Sequence, residues 1–241
     1  MVAYDLPSLV SPTLKWERIQ TLDIGGDFGF FNNELNISFD WYQRTTKDML
    51  APGQTMPDVL GAGAPKINAG TLRTRGWELS IDWRHHFNEV NVYANASIGD
   101  FKTVITKWDN DSQLLNENYS GKVYGDIWGF ETDRYFTKDD FNADGSYKEG
   151  IASQKKLEQD GFVYGPGDIK FKDLNNDKEI NGGEGTVKDH GDLKVIGNTT
   201  PRYQYGFRLG GEWKGIDIDM FFQGVGTVSY THLTLPTILL V

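Results

Sequence analysis

Oxygen-bearing side chains recur at short intervals in positions 173–184, which makes this stretch the strongest candidate for chemistry in the chain. With Asp173 as position 1, the side chains of Asn175 and Asp177 fall at positions 3 and 5. Glu179 would offer its backbone carbonyl at position 7, and Glu184 its carboxylate at position 12. This is the ligand spacing of a calcium loop, in which hard oxygen atoms surround a hard cation. The sequence therefore predicts a calcium site in which the ion has a structural role.

Lys178 departs from the calcium pattern, because the sharp turn at position 6 prefers glycine and a positive charge lowers cation affinity. The alternative is a solvated loop of Asx turns that holds no metal. Another acidic stretch, with Asp140, Asn142 and Asp144, has only the first half of the spacing and places Ile151 at position 12, so it predicts a turn. No other cofactor is expected.

Catalytic constellations do not occur in the sequence. His85 and His86 adjoin at a strand end, whereas His190 and His232 are isolated. There is no His-Glu-x-x-His motif, phosphate-binding glycine loop or Gly-x-Ser-x-Gly elbow, and the absence of cysteine excludes Cys-ligated zinc. A net charge of −10 without a basic stripe argues against a nucleic-acid partner. We therefore do not expect an enzyme.

The elements that must position these residues are β-strands, since apolar and polar residues alternate with a period of two. The alternating segments are 22–30, 35–42, 77–84, 90–98, 204–213 and 216–223. Asn32-Asn33 and Lys214-Gly215 supply the turns of two hairpins, and a third joins the middle segments. Weak extra strands are predicted within 126–134.

Three features of these strands favour a membrane barrel over a soluble β-sandwich. Each strand has about ten residues, which suffices to cross a bilayer at a tilt. The polar faces carry charged residues at mid-strand, and the apolar faces carry Trp or Tyr near their ends, as aromatic girdles do. Long polar segments at 43–72 and 107–202 predict external loops opposite short turns. The expected fold is an all-β, antiparallel transmembrane β-barrel segment.

Several ordered motifs resemble the SusC/RagA family of TonB-linked outer-membrane transporters of Bacteroidetes. They are Leu14-Lys15-Trp16-Glu17 with 36–42 and 46–50, Arg75-Gly76-Trp77-Glu78-Leu79, Pro166-Gly167-Asp168-Ile169-Lys170 with 173–180, 190–198 with 201–206, and Phe222-Gln223-Gly224-Val225-Gly226. Each motif alone is weak, whereas their order and spacing from about residue 10 to 227 are specific.

The resemblance implies an outer-membrane import receptor for oligosaccharide or peptide fragments. A complete member has a barrel of about 22 strands, filled by an N-terminal plug. A SusD-like surface lipoprotein would cap the barrel, the TonB complex would drive release through the plug, and outer-membrane lipid would surround the wall. The competing hypothesis is a soluble, calcium-stabilised β-sandwich that binds carbohydrate.

Both ends of the sequence depart from the family pattern. Residues 1–20 lack the apolar segment of a signal peptide, and we expect residues 1–227 to be part of a barrel whose plug belongs to a longer protein. Residues 228–241 break the alternation, and we expect them to be a non-native tail.

Overall fold

A computed structural model describes residues 11–52, 65–110 and 112–229 of the chain. The described part is almost entirely β-structure, with ten strands and two short 3-10 helices, Lys138–Asp140 and Lys155–Leu157. Neither of these helices has the length or the apolar character that a membrane span requires.

The ten strands follow one another along the chain: β1 (Arg18–Phe30), β2 (Leu35–Pro52), β3 (Lys66–Phe87), β4 (Val90–Trp108), β5 (Asp126–Phe130), β6 (Thr132–Tyr135), β7 (Ile169–Phe171), β8 (Leu193–Asn198), β9 (Arg202–Trp213) and β10 (Ile216–Thr227). Two compact units result. The sheet unit comprises the described residues up to 109, 120–124, and those from 200 onward. The loop unit comprises the described residues of 110–119 and 125–199.

The sheet unit is one antiparallel sheet of six strands in the order β1-β2-β3-β4-β9-β10. The three predicted hairpins, β1–β2, β3–β4 and β9–β10, are confirmed. The β9–β10 turn places Lys214 and Gly215 at φ 48° and 85°, the left-handed values that two-residue hairpin turns require. Within the described residues β1 and β10 are each paired on one side only, so the sheet is open, as a barrel segment should be.

The bounds predicted for the loop at 43–72 are wrong, because much of this segment forms β-strand. Strand β2 continues to Pro52 and β3 begins at Lys66, while residues 53–64 lie outside the described part. The extension of β2 begins with six polar residues, 43–48, so the alternation in the sequence stops although the hydrogen-bond ladder continues. Cross-strand contacts such as the 2.8 Å hydrogen bond between the Thr74 and Thr103 hydroxyls support the extension.

Cross-strand register divides the sheet into an apolar face and a polar face. One row of facing residues is Phe28, Ile37, Ile81, Ala96, Phe207 and Phe222. The neighbouring row, one residue away on every strand, is Asp27, Ser38, Ser80, Ser97, Gly206 and Gln223. Because successive side chains point to opposite faces, all six strands present the same chemistry on the same side.

Large side chains on the apolar face are exposed. Phe28 is 55 % exposed and Ile218 is 59 % exposed, values typical of a surface and unlike those of a sandwich interior. Trp83, Phe87 and Trp213 lie toward the short turns, and Trp41 faces Trp77 toward the long connections. The apolar band is therefore bordered by aromatic residues at each end.

Glycines on the polar face accommodate aromatic rings from the next strand. The Tyr93 ring lies over Gly210, where an added Cβ would come within 2.1 Å of the Tyr93 Cζ atom. The Tyr93 hydroxyl donates to Asp219, which also accepts a 2.7 Å hydrogen bond from Arg208 Nε. This contact joins β4, β9 and β10 on the polar side.

The segment predicted as a loop at 107–202 contains folded structure as well as turns. Strands β5 and β8 form one two-stranded sheet and β6 and β7 another, which confirms the extra strands expected within 126–134. The buried Gln154 side chain borders β7: its Oε1 accepts from Phe171 N at 2.7 Å and its Nε2 donates to Ile169 O at 3.1 Å. The sequence signal is weak because these strands have only three to six residues each.

Glu131 lies between the two small sheets of the loop unit and pairs with a lysine from each. Lys172 Nζ is 2.6 Å from Glu131 Oε1, and Lys194 Nζ pairs with Oε2. The hydrogen bond from Lys172, which has the larger effect, and the one from Lys194 together lower the pKa of Glu131 to about 2. The ionised carboxylate thus connects Lys172, the residue after β7, with Lys194 in β8.

We predict that acid removes the contribution of Glu131 to the stability of the loop unit. The folded pKa is depressed below the usual 4.5, so this stabilisation is complete above about pH 4.5 and is lost as the pH falls toward 2. Hydrogen exchange of the β7 and β8 amides in wild type and Glu131→Gln should differ at pH 6 and converge near pH 2. A difference that is unchanged across this range would contradict the assignment.

Candidate functional site

The loop predicted to bind calcium is built from Asx turns. Asp173 Oδ1 accepts from Asn176 N at 2.6 Å, and its Oδ2 accepts from Lys178 N at 2.9 Å. Asp177 Oδ1 accepts from Glu179 N at 2.7 Å. Asn176 and Lys178 have φ of 62° and 65°, so the backbone follows the sharp left-handed turns that the spacing implies. The lysine occupies the position for which glycine is best suited.

Asp192 joins this loop, although sequence spacing does not indicate it. Its side chain is fully buried, and its carboxylate accepts from Leu174 N at 2.7 Å and from Asn181 N at 3.0 Å. One carboxylate oxygen from each of Asp173, Asp177 and Asp192 lies within 4.8 Å of the other two. These three carboxylates form the acidic cluster of the loop unit.

The other predicted ligands have different partners. Glu179 Oε2 pairs with Lys156 Nζ at 2.6 Å, and the Glu179 carbonyl accepts from the Asn181 amide at 3.0 Å. The Asn175 side chain is bonded to Asp177 through both its oxygen and its nitrogen. Glu184 is exposed and is not part of the acidic cluster. The structure thus brings Asp173 and Asp177 together and replaces the expected position 12 with Asp192.

Two backbone hydrogen bonds fix the acidic loop to the preceding segment. Ser153 N donates to Lys178 O and Ile180 N donates to Ser153 O, each at 2.8 Å. Ile180, which follows the acidic positions of the loop, is fully buried. The pKa of Asp177 is lowered mainly by the hydrogen bond from the Glu179 backbone N–H and, to a smaller extent, by the hydrogen bond from the Asn175 side chain. Asp177 is therefore ionised at neutral pH and suited to a cation.

The stretch from Asp140 to Ile151 is a turn, as predicted. Asp140 is buried and forms a two-pronged ion pair with Arg134 at 2.6 and 2.7 Å, which is the main cause of its lowered pKa. Asp144 accepts from Ser146 N at 3.0 Å within a turn in which Gly145 has φ 82°. The carboxylates of this stretch are used to organise the chain.

The strand-end histidines have local partners on the sheet unit. His85 Nδ1 lies 2.6 Å from Glu34 Oε2, and His86 Nδ1 lies 2.5 Å from Asn91 Oδ1. Both contacts are beside the short turns. Neither histidine is placed among groups that could assemble a catalytic centre.

A sequence profile of the family described as "TonB dependent receptor-like, beta-barrel" matches residues 3–234. The chain belongs to this family. The resemblance based on the ordered motifs is thereby confirmed, together with the all-β, antiparallel barrel fragment. The family consists of receptors and transporters and not of enzymes.

Two curated members illustrate the relationship. TonB-dependent receptor P3 of Formosa agariphila is 30 % identical over 250 residues, covering 95 % of this chain and 23 % of that protein. TonB-dependent receptor SusC of Bacteroides thetaiotaomicron is 27 % identical over 217 residues, covering 83 % of this chain and 19 % of SusC. The chain therefore spans less than a quarter of the length of these receptors.

Solved structures of the RagAB peptide transporter share the fold. The RagAB peptide importer in its open-open state superposes with a TM-score of 0.63 at 22 % identity, over 90 % of this chain and 21 % of that chain. Another RagAB peptide transporter structure superposes with a TM-score of 0.61 at 23 % identity, over 88 % of this chain and 21 % of that chain. At this identity the likeness establishes the fold and nothing finer.

We predict that Lys178→Gly stabilises the loop unit by about 1 kcal/mol relative to Lys178→Ala, since only glycine adopts the left-handed backbone without steric cost. Both variants remove the same charge, so the comparison isolates the backbone effect. The amide exchange rate of Ile180 in the full-length receptor measures it. Equal protection in the two variants would show that the turn is unstrained.

Proposed function

We propose that this chain forms wall strands and external loops of an outer-membrane transporter that imports nutrient fragments, oligosaccharides or peptides, with energy from TonB. The observation that supports this most strongly is the division of the six-stranded sheet into an exposed apolar face and a polar face. A wall between lipid and a hydrated lumen needs both faces on the same strands.

The dimensions of the apolar band support insertion in a membrane. Along β3 the apolar face runs from Trp77 through Leu79 and Ile81 to Trp83, and is bordered by Arg75 and His85. Two residues advance a tilted strand by about 5 Å along the membrane normal, so Trp77 to Trp83 covers about 15 Å and the five steps from Arg75 to His85 cover about 25 Å. The polar borders are thus about as far apart as the outward apolar band of outer-membrane barrels is tall.

The proposed partners follow from family membership. A SusD-like surface lipoprotein would cap the barrel, and the TonB complex would act through a plug belonging to the longer protein. RagAB, whose structures share this fold, is a peptide transporter, so peptides are one proposed cargo. Oligosaccharides are the other, because the resemblance to the SusC/RagA family implies either cargo.

A soluble carbohydrate-binding β-sandwich has less support. Its apolar strand faces would have to be buried against each other, whereas Leu22, Phe28 and Ile218 are more than half exposed. Membership of a barrel family points the same way. We therefore retain the membrane assignment.

Uptake by the full-length receptor tests the transport proposal. Labelled oligosaccharide and peptide pools should enter receptor-bearing cells only when TonB is energised, because a plugged barrel does not conduct passively. Accumulation that persists without TonB, or that is the same without the receptor, would contradict the proposal.

We predict that Ile81→Lys destabilises the membrane-inserted, full-length receptor, whereas Ser80→Lys is tolerated. The two positions are adjacent on β3, but Ile81 is on the apolar face and Ser80 on the polar face. A lysine at the bilayer midplane costs roughly 2–4 kcal/mol. Heat-dependent gel migration of outer-membrane fractions reports the folded barrel, and equal loss in both variants would contradict the lipid assignment.

We further propose that the acidic cluster of the loop unit binds calcium as a structural ion. The three converging carboxylates, with Asp192 in place of the predicted Glu184, support this. Calcium should raise the unfolding temperature of the full-length receptor, and Asp177→Asn should abolish the increase. Asp144→Asn, in the turn that contains Gly145, is the matched control. If calcium does not raise the unfolding temperature of the wild type, the proposal is wrong and the loop is a set of Asx turns that holds no metal.

A further inference from the structure

Three basic side chains lie together on the sheet, just beyond the apolar band at the end of the long connections. Arg75 faces Lys102 across the β3–β4 pair, and Arg73 lies one row further out. All three are exposed. We refer to Arg73, Arg75 and Lys102 as the basic patch.

Register places the basic patch on the same side as the apolar face. Residues two apart on a strand share a face, so Arg75 and Arg73 continue the series that includes Ile81 and Trp77. On β4 the same side carries Ile98, Asp100 and Lys102 in succession. The sheet ladder is regular through this region, with its only β3–β4 irregularity between Thr71 and Leu72. The patch thus borders the aromatic row at the end of the apolar band.

Two acidic residues at this end of the sheet are paired with other cations. Asp100, two residues before Lys102, is bound by Arg202 through both carboxylate oxygens. Asp48 pairs with Arg18 at 2.7 Å. Among the described residues, no ion pair includes a member of the basic patch. Within the described residues the three cations of the basic patch therefore have no carboxylate partner and are available to an external anion.

Arg75 is partly oriented for ligand binding. Its Nε donates to Gln43 Oε1 at 2.8 Å, across the β2–β3 pair. This bond restrains the guanidinium plane and uses one of its five donors, so the terminal nitrogens can still bind an oxyanion. Arginine's planar fork matches phosphate geometry, and a neighbouring lysine adds a point charge.

We propose that the basic patch binds phosphate groups of lipids in the outer leaflet of the membrane. In a barrel the long connections lie on the external side, so a patch just beyond the apolar band on the lipid-facing side lies at headgroup depth. The ligand is a phosphorylated glycolipid whose acyl chains lie along the apolar face. This inference rests on the proposed membrane insertion.

The test uses the purified full-length receptor in detergent and two probes, monophosphorylated lipid A and the same lipid after dephosphorylation. Native mass spectrometry measures how much of each remains bound. Removing a basic charge near an anionic lipid surface weakens binding roughly fivefold, so Arg73→Gln, Arg75→Gln and Lys102→Gln combined should weaken it on the order of 100-fold. The dephosphorylated lipid should bind wild type and triple variant alike.

Two further variants make the result specific. Arg44→Gln is the matched control, because Arg44 adjoins Gln43 on β2 but faces the polar side. Its lipid binding should equal that of the wild type. Arg75→Lys keeps the charge and should lose less affinity than Arg75→Gln. Heat-dependent gel migration confirms that each variant is folded.

Three results would overturn the inference. One is equal affinity of the triple variant and the wild type for the phosphorylated lipid, and another is equal loss in Arg44→Gln. The third is a triple variant that keeps its lipid but no longer captures the partner lipoprotein, since the patch would then be a protein interface. A receptor that binds neither lipid and stays soluble without detergent would instead refute membrane insertion itself.

Discussion

The backbone hydrogen-bond ladder that runs from β1 to β10 decides which side chains share a face, and both functional proposals for the sheet depend on it. Because side chains alternate, a slip of one residue on any strand would move its apolar set to the polar side. Six strands in one register place Phe28 and Phe222 in the same row, although these residues lie near opposite ends of the described chain. The ladder also pairs the interior backbone groups, which lipid cannot solvate.

The loop unit is held together in a different way. Its buried set is small and includes polar groups, among them Asp140, Gln154 and Asp192. Each of these accepts hydrogen bonds from backbone N–H groups that irregular chain would otherwise leave unpaired. Aromatic contacts such as Phe136 with Phe141 add apolar burial. Acidic side chains therefore organise these loops whether or not a metal binds.

Most of the sheet is predictable from the sequence because period-two alternation arises directly from one apolar and one polar face. The prediction fails where that contrast disappears, since β2 continues beyond Tyr42 through residues 43–48, which are polar on both sides and have the composition of a loop. Within the acidic loop, Asp173 and Asp177 are predictable from their spacing. Asp192 is not, because it reaches the loop through the backbone hydrogen bond from Asp192 N to Asn181 O.

The ion-pair partner of Glu179 also could not be predicted from the sequence. Lys156 approaches it from a segment whose path depends on the pairing of Ser153 with the acidic loop. The basic patch lies at the outer ends of β3 and β4, so its side of the sheet can be assigned only once the strand extension and its register are known. Long-range register is thus the information that local pattern lacks.

The central claim is that the apolar face of the sheet contacts lipid. The chain contains no cysteine, so a single cysteine introduced at Ile37, Ser38, Phe39 or Asp40 carries the only spin label in this segment of the full-length receptor. Collision rates with oxygen, which concentrates in lipid, and with a water-soluble nickel complex are then measured in reconstituted bilayers. Oxygen access should be high at positions 37 and 39, and nickel access should be high at 38 and 40. Nickel access without this alternation, or greatest at 37 and 39, would contradict the claim.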